Sequence, residues 1–262
     1  PKYRTGVVVA KNELAKRAGV KTTDTVWQAQ RKCPGIVFVP PRHGLYRQIS
    51  RRVNDIYHEY TDYLEPASID ESYLDMTGAP EYYGLSPVEL ADTIRCRVRE
   101  EIGVTISVGI SDNKVFAKMG SDYKKPDATT IITRENYKDI LYPLPVREML
   151  FVGASAANLL SRQGITTIGQ LAECPKERLH ALLGKMGDTL WTYANGLDTG
   201  EVRRIGESDP IKSISNDVTF SRDLLGEEDI KTGIMMLSDS VGTRLRAQQL
   251  KALPVQVKIK TP

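Results

Sequence analysis

The chain has 262 residues, 40% of them hydrophobic and 26% charged, with a formal net charge of +3. That balance belongs to an ordinary soluble globular protein of one large domain or two to three small ones. No apolar run approaches the roughly 18 residues of a membrane span, and no charged-then-apolar leader signals secretion. Cys33, Cys96 and Cys174 are odd in number and far apart, which fits a reducing cytoplasm rather than a disulfide framework. His43, His58 and His180 are equally scattered and give no support to a histidine metal site.

In chain order, a strand is expected at Val7–Val9 and a helix from Asn12 to Ala18, stopped by Gly19. Thr23-Asp24 offers an N-cap for a second helix, Thr25 to about Cys33, which Pro34 ends. Ile36–Val39 reads as a short buried strand closed by Pro40-Pro41. A longer helix, about Gly44 to Tyr60, carries Leu45, Ile49, Val53, Ile56 and Tyr60 at helical spacing. After an acidic hairpin, Ser86-Pro87-Val88-Glu89 supplies Ser as N-cap, Pro at N1 and Glu at N3 of a helix reaching Ile102. Val104–Ile110 is a strand, Asn113 to Tyr123 a helix and Thr129–Thr133 a strand. The order β-β-α-β-α-β over residues 64–133 predicts an α+β sheet with helices on one face, close to the ferredoxin-like plan.

From Pro143 the chain turns to short helices with glycine stops. The run through Gly153, Leu160, Gly164-Ile165 and Leu171 suits a helix-hairpin-helix unit or a generic packed helix pair, and Gly184-Lys185-Met186-Gly187 forms a similar turn. Glycine-bounded helix starts expose backbone N–H groups that bind phosphates without reading sequence, so Gly153, Gly164, Gly184, Lys185 and Gly187 are candidate phosphate contacts. Asp198–Pro210 is polar and aperiodic, a linker. Strands are expected at 211–221 and 254–260, flanking a helix from Glu227 to about Gln249. Pro1 as the first residue and an alternating strand pattern at the very end point to a chain lacking parts on both sides.

Ser68-Ile69-Asp70-Glu71-Ser72-Tyr73-Leu74-Asp75 places two adjacent carboxylates in a strand-forming run. Neighbouring strand side chains leave on opposite faces, so Asp70 and Glu71 share a site only where the backbone bends. Held together they repel, unless a proton or a cation such as Mg²⁺ sits between them. A solvated hairpin tip would carry the same residues. Basic residues crowd both flanks, from Lys16 to Arg52 and from Lys231 to Lys260. That suits a polyanion across a metal-loaded cleft, or simply solvated helix faces.

Several segments together resemble one family, the Y-family lesion-bypass DNA polymerases. Ser68–Asp75 looks like its catalytic hairpin. Val108-Gly109-Ile110-Ser111 with Asn113–Lys118 and Lys125-Pro126 is similar to its second palm signature, and Gly19-Val20-Lys21-Thr22 to its fingers segment. The resemblance implies fingers with the start of a palm strand at 1–42, a ferredoxin-like palm at 43–133, and a helical thumb with helix-hairpin-helix-like turns at 134–197. A linker at 198–210 and an incomplete α/β little finger at 211–262 complete the plan. It implies Asp70 as a Mg²⁺ ligand and Glu71 as second acid beside the primer 3′-hydroxyl, with two Mg²⁺ ions in the intact enzyme. Lys125 would contact the dNTP triphosphate, Arg244 and Arg246 the backbone of primer-template DNA, and a sliding clamp is a possible further partner.

Departures from the family pattern matter too. The family's further metal-binding Asp, and the large side chain that excludes ribonucleotides, have no counterpart in the sequence, so the polypeptide as it stands is expected to extend primers poorly. Where polymerase IV-like members carry Tyr and Arg on the triphosphate, this chain has Glu13 and Lys16. Lys16 keeps the charge without the bidentate fork and is a candidate triphosphate contact nearer to the polymerase V type. Two other classes stay open, a nucleotide cyclase with a similar palm and a non-catalytic DNA-binding paralogue. Turnover of ATP or GTP without DNA separates the first, and salt-dependent DNA binding without incorporation the second.

Overall fold

The computed structural model describes residues 6–207 and 209–260, which fall into two compact units. One is formed by the chain up to Arg42 together with the chain from Asp209 onward, the other by His43–Ser208. In the first unit, α1 (Glu13–Arg17) is capped by Asn12, whose side chain accepts from the Ala15 N–H, and Gly19 leaves it with φ +82°. Helix α2 (Val26–Lys32) starts on a capping box between Thr25 and Gln28. The expected Thr23-Asp24 cap is therefore corrected to Thr25, the next residue along. Asp24 accepts instead from the Lys21 N–H at 2.7 Å and from Lys32 Nζ at 2.6 Å, and the Lys32 bond is the main cause holding its carboxyl below the usual range.

The expected strand at Val7–Val9 reduces to a single bridge between Val7 and Thr25, and Ile36–Val39 joins no ladder, with Val37 and Val39 exposed. β-propensity describes fit to a pleated surface, and without a neighbouring strand it creates no ladder.

The second unit begins with α3 (His43–His58) and the hairpin β1 (Leu64–Pro66) and β2 (Ser72–Leu74), antiparallel with Leu64 opposite Leu74. Short α4 (Ala79–Tyr83) precedes α5 (Pro87–Ile102), which carries the expected Ser86–Glu89 capping box and stops at Gly103. Then β3 (Val108–Ile110), α6 (Lys114–Tyr123) and β4 (Thr129–Ile131) form a β-α-β unit with β3 parallel to β4. The architecture is α+β. The expected continuous ferredoxin-like sheet is not formed among the described residues. The strands make two separate two-stranded ladders, and residues 104–107 pair with neither.

Helix α6 lies flush on β3 because both contact points are glycines. A Cβ on Gly120 would come 3.2 Å from the Gly109 Cα. The chain continues through α7 (Tyr137–Leu141), a 3-10 turn at Val146–Glu148, α8 (Ala154–Arg162), α9 (Ile168–Glu173), α10 (Lys176–Leu183) and α11 (Lys185–Ala194). One apolar core joins Phe116, Met119 and Ile132 to Leu160, Ile168, Leu179 and Leu190, so it runs without a break across the 133/134 boundary expected from sequence.

The linker is aperiodic, as its composition predicts, but docked. The Ile205 N–H donates to the Asp62 carbonyl at 2.9 Å, and the Arg203 N–H to Glu65 Oε2 at 3.0 Å. Beyond it, back in the first unit, α12 (Gly226–Ala247) is the one helix of the C-terminal part among the described residues. The strands expected at 211–221 and 254–260 form no ladder, and Val255 and Ile259 are exposed, for want of a partner strand.

Candidate active site

The acid pair sits where the hairpin turns. The Ala67 and Ser68 N–H groups both donate to the Glu71 carbonyl, at 2.8 and 3.1 Å, which closes a tight loop over residues 67–71. The backbone bends at the pair, as two neighbouring carboxylates require if they are to serve one site. Asp70 is exposed, and its Oδ1 accepts from Ser68 Oγ at 2.8 Å; Glu71 is half-buried. Ser72 Oγ donates to Asn54 Oδ1 at 2.7 Å and so ties the turn to α3.

From Glu71 a charge relay runs along α6 to Lys125. Lys118 Nζ donates to Glu71 Oε1 at 2.7 Å and to Asp122 Oδ2 at 2.8 Å, while Lys125 Nζ lies 2.5 Å from Asp122 Oδ1. The spacings i, i+4 and i, i+3 put Lys118, Asp122 and Lys125 in reach of one another. Burial works against the Lys118 ammonium, but the bonds from Asp122 and Glu71 outweigh it and raise its pKa. Burial would likewise raise the Asp122 carboxyl, yet Lys118 and Lys125 hold it low. The structure links the candidates Glu71 and Lys125 through Lys118 and Asp122, which the sequence does not single out although their i, i+4 spacing is visible in it.

Beneath the turn, Glu65 on β1 is clasped by Lys114 Nζ at 2.6 Å and by the Arg203 guanidinium at 3.1 Å. Burial pushes its carboxyl up, but these bonds and the Arg203 N–H overcome that and bring it down to about 2. Lys114 also lies over the Tyr73 ring, 5.5 Å from its centre.

The other sequence candidates stand on other elements. Lys16 is exposed and faces Glu13 at 3.4 Å on α1. Gly153 and Lys185 are exposed at the starts of α8 and α11, Gly164 has φ +79° in the turn before α9, and Gly184 has φ +61°. The Gly164 and Gly184 N–H groups are already given to the Ser161 and His180 carbonyls, at 3.1 and 2.7 Å, so as phosphate donors both are corrections, and Gly187 is a third. A Cβ there would come 2.1 Å from the Leu179 carbonyl oxygen, and its N–H already donates to Gly184 O at 2.8 Å, so it is a buried packing glycine between α10 and α11 with no donor to offer DNA. Arg244 and Arg246 occupy the last turn of α12, where Arg244 donates to the Ser215 carbonyl at 2.7 Å and Arg246 to Thr243 Oγ1 at 3.0 Å.

The acid pair offers the oxygen donors a hard divalent cation selects. The positive charge now paired with Glu71 is the Lys118 ammonium. Among the described residues no group of three His, Cys, Asp or Glu could hold a metal, so the pair fits Mg²⁺ as part of a larger oxygen set rather than alone. No helix among them is long and apolar enough to cross a membrane.

The impB/mucB/samB family model matches residues 1–122, and the model of that family's C-terminal domain matches residues 211–262. The DNA polymerase IV of Acetivibrio thermocellus is 48% identical over 259 residues, covering 99% of this chain, which spans 65% of that relative's length. Among solved structures, a Y-family DNA polymerase chimera of Dbh and Dpo4 matches with a TM-score of 0.74 and 25% identity, over 92% of this chain and 69% of that one. An insertion ternary complex of Dbh DNA polymerase matches with a TM-score of 0.68 and 29% identity, over 76% of this chain and 60% of that one. The chain belongs to the impB/mucB/samB family, within the Y-family of DNA polymerases.

Proposed function

We propose that this chain carries the palm of a template-directed, low-fidelity DNA polymerase that adds dNTPs to a primer 3′-hydroxyl and synthesises past damaged bases. The observation that carries the reading is the relay Glu71–Lys118–Asp122–Lys125, which ties the acid pair to the candidate phosphate-binding lysine. Asp70 and Glu71 would hold Mg²⁺, two ions in the intact enzyme, which when bound supplies Lewis-acid activation of the 3′-hydroxyl and charge neutralisation at the triphosphate.

The protein's own side chains do the rest. Lys125, exposed and bound only to Asp122 among the described ion pairs, exchanges that carboxylate for a triphosphate oxygen, as a flexible point charge can. Lys118 keeps Glu71 turned towards α6 and offsets part of the repulsion between the acids. Gly153 and Lys185 lie at helix starts suited to backbone phosphates, in a helical thumb, and Arg244 and Arg246 would meet phosphates from the little finger. Lys16 would add a second triphosphate contact once released from Glu13.

The test is primer extension by the intact protein with Mg²⁺ and all four dNTPs, beside Glu71→Gln. The expected result is extension by the wild type and a loss of about a hundredfold or more in the variant. Equal rates would remove Glu71 from the chemistry, and turnover of ATP or GTP without DNA would favour a cyclase.

A further inference from the structure

Lys125 stands on a short loop between α6 and β4, and α5 grips that loop. Asp92, Arg95 and Arg99 lie at i, i+3 and i+7 on α5, which places them along one face. Arg95, whose side chain is only 16% exposed, donates Nη2 to both the main-chain oxygen and Oδ1 of Asp127, the latter at 2.8 Å. Its Nη1 reaches Asp92 Oδ1 at 2.6 Å and Thr129 Oγ1 at 3.2 Å. Arg99 Nη1 adds a bond to Asp127 Oδ2 at 3.0 Å. Asp127, two residues past Lys125, has φ +51°, a left-handed conformation that L residues hold only with local support. The arginine fork supplies that support from outside the loop.

The fork is not there for stability alone. Arg95 Nε is buried without a hydrogen-bond partner, an unmatched donor that an apolar residue of similar size would have avoided. What a guanidinium offers in return is a fixed planar geometry that sets a carbonyl and a carboxylate at once. Asp122 holds Lys125 from the α6 side, and Arg95 sets the backbone that follows it.

We propose that Arg95 is a positioning residue for nucleotide binding: through Asp127 it fixes the loop that presents the Lys125 ammonium to the phosphates of a nucleoside triphosphate. The inference rests on the polymerase reading above. It assigns Arg95 no contact with substrate.

The test is single-nucleotide incorporation by the intact protein, with KM for the dNTP separated from kcat and from primer-template affinity. R95M should raise that KM about tenfold, less than the roughly hundredfold that a full 1 Å misplacement can cost, with DNA affinity unchanged. R95K, which keeps the charge and loses the fork, should not restore it. D127N keeps a residue tolerant of the left-handed backbone and should raise KM by a smaller factor; should R95M fail a thermal-melt check, D127N carries the comparison. Because Arg95 acts through Lys125, R95M/K125A should have the KM of K125A alone. A wild type that incorporates no nucleotide sinks the polymerase reading and this proposal with it. An active wild type whose KM is unmoved by R95M and D127N, or in which the R95M and K125A effects multiply, overturns the positioning role and leaves the polymerase reading standing.

Discussion

At position 109 even an alanine side chain would set its Cβ 1.8 Å from the Ala117 carbonyl oxygen and 2.5 Å from the Ser121 nitrogen. Both are main-chain atoms of α6, so relief requires moving the helix off β3 rather than rotating a neighbouring side chain. That helix carries Lys118 and Asp122 and leads into the Lys125 loop, so the absence of a side chain at Gly109 sets how closely the lysine-bearing helix approaches β3. Gly109→Ala is expected to destabilise the protein by about 3 kcal/mol, at the upper end of the usual cost of overpacking. Urea denaturation monitored by circular dichroism measures it, and a midpoint equal to wild type would show that the close approach is not needed. The sequence displays this glycine inside a recognisable signature, yet nothing local says which backbone it must admit. Asp70 and Glu71 stand out in the sequence because they are adjacent carboxylates. Lys118 reaches Glu71 across 47 positions and Arg95 reaches Asp127 across 32, and only the fold brings such partners together.

Between elements, Glu65 ties β1 to the start of α6 and to the linker, with a side chain only 13% exposed. Its carboxyl lies near 2 in the folded protein against an ordinary 4.5. A carboxyl depressed on folding contributes stability above its unfolded pKa, and that contribution disappears as pH falls through the folded value. The tie therefore supplies on the order of 3 kcal/mol above about pH 4.5 and loses it between about pH 4.5 and 2. Thermal melts across that window should show Glu65→Gln less stable than wild type at pH 6, with the gap closing towards pH 2.5. A gap that stays constant would mean that Glu65 is not the titrating tie. This element-level partnership could not be read from Asp198–Pro210, whose polar, aperiodic sequence describes a linker but not where it docks. Helices fared better than strands because their signals are local. The Ser86–Glu89 box starts α5 where the sequence says, and the glycines after α1 and α5 stop them. Strand patterns at 36–39, 211–221 and 254–260 were present without ladders, since pairing depends on a partner the pattern does not name.

Across the whole molecule the two units differ in what holds them. The unit from His43 buries Leu160, Ile168, Leu171, Leu179 and Leu190 almost completely, all within or beside α8 to α11. Each such side chain contributes about 2 kcal/mol of burial. The buried cluster of the first unit consists of Val8, Ala15, Val20 and Ala29, two of them too small to contribute much, while Val37, Val39, Leu225 and Val255 of that unit are exposed. Local opening should follow this contrast, because amides are released most readily where few apolar contacts oppose it. Hydrogen exchange followed by mass spectrometry is therefore expected to show α8 to α11 as the slowest segments. Peptides covering α1 and α2 should exchange about a hundredfold faster, the ratio that roughly 3 kcal/mol of extra local stability gives. Capping cannot rescue the small helices: the Asn12 and Thr25 caps are worth about 1 kcal/mol each, less than one buried leucine. Equal protection in α1 and α9 would show that the first unit draws stability from something other than its buried side chains.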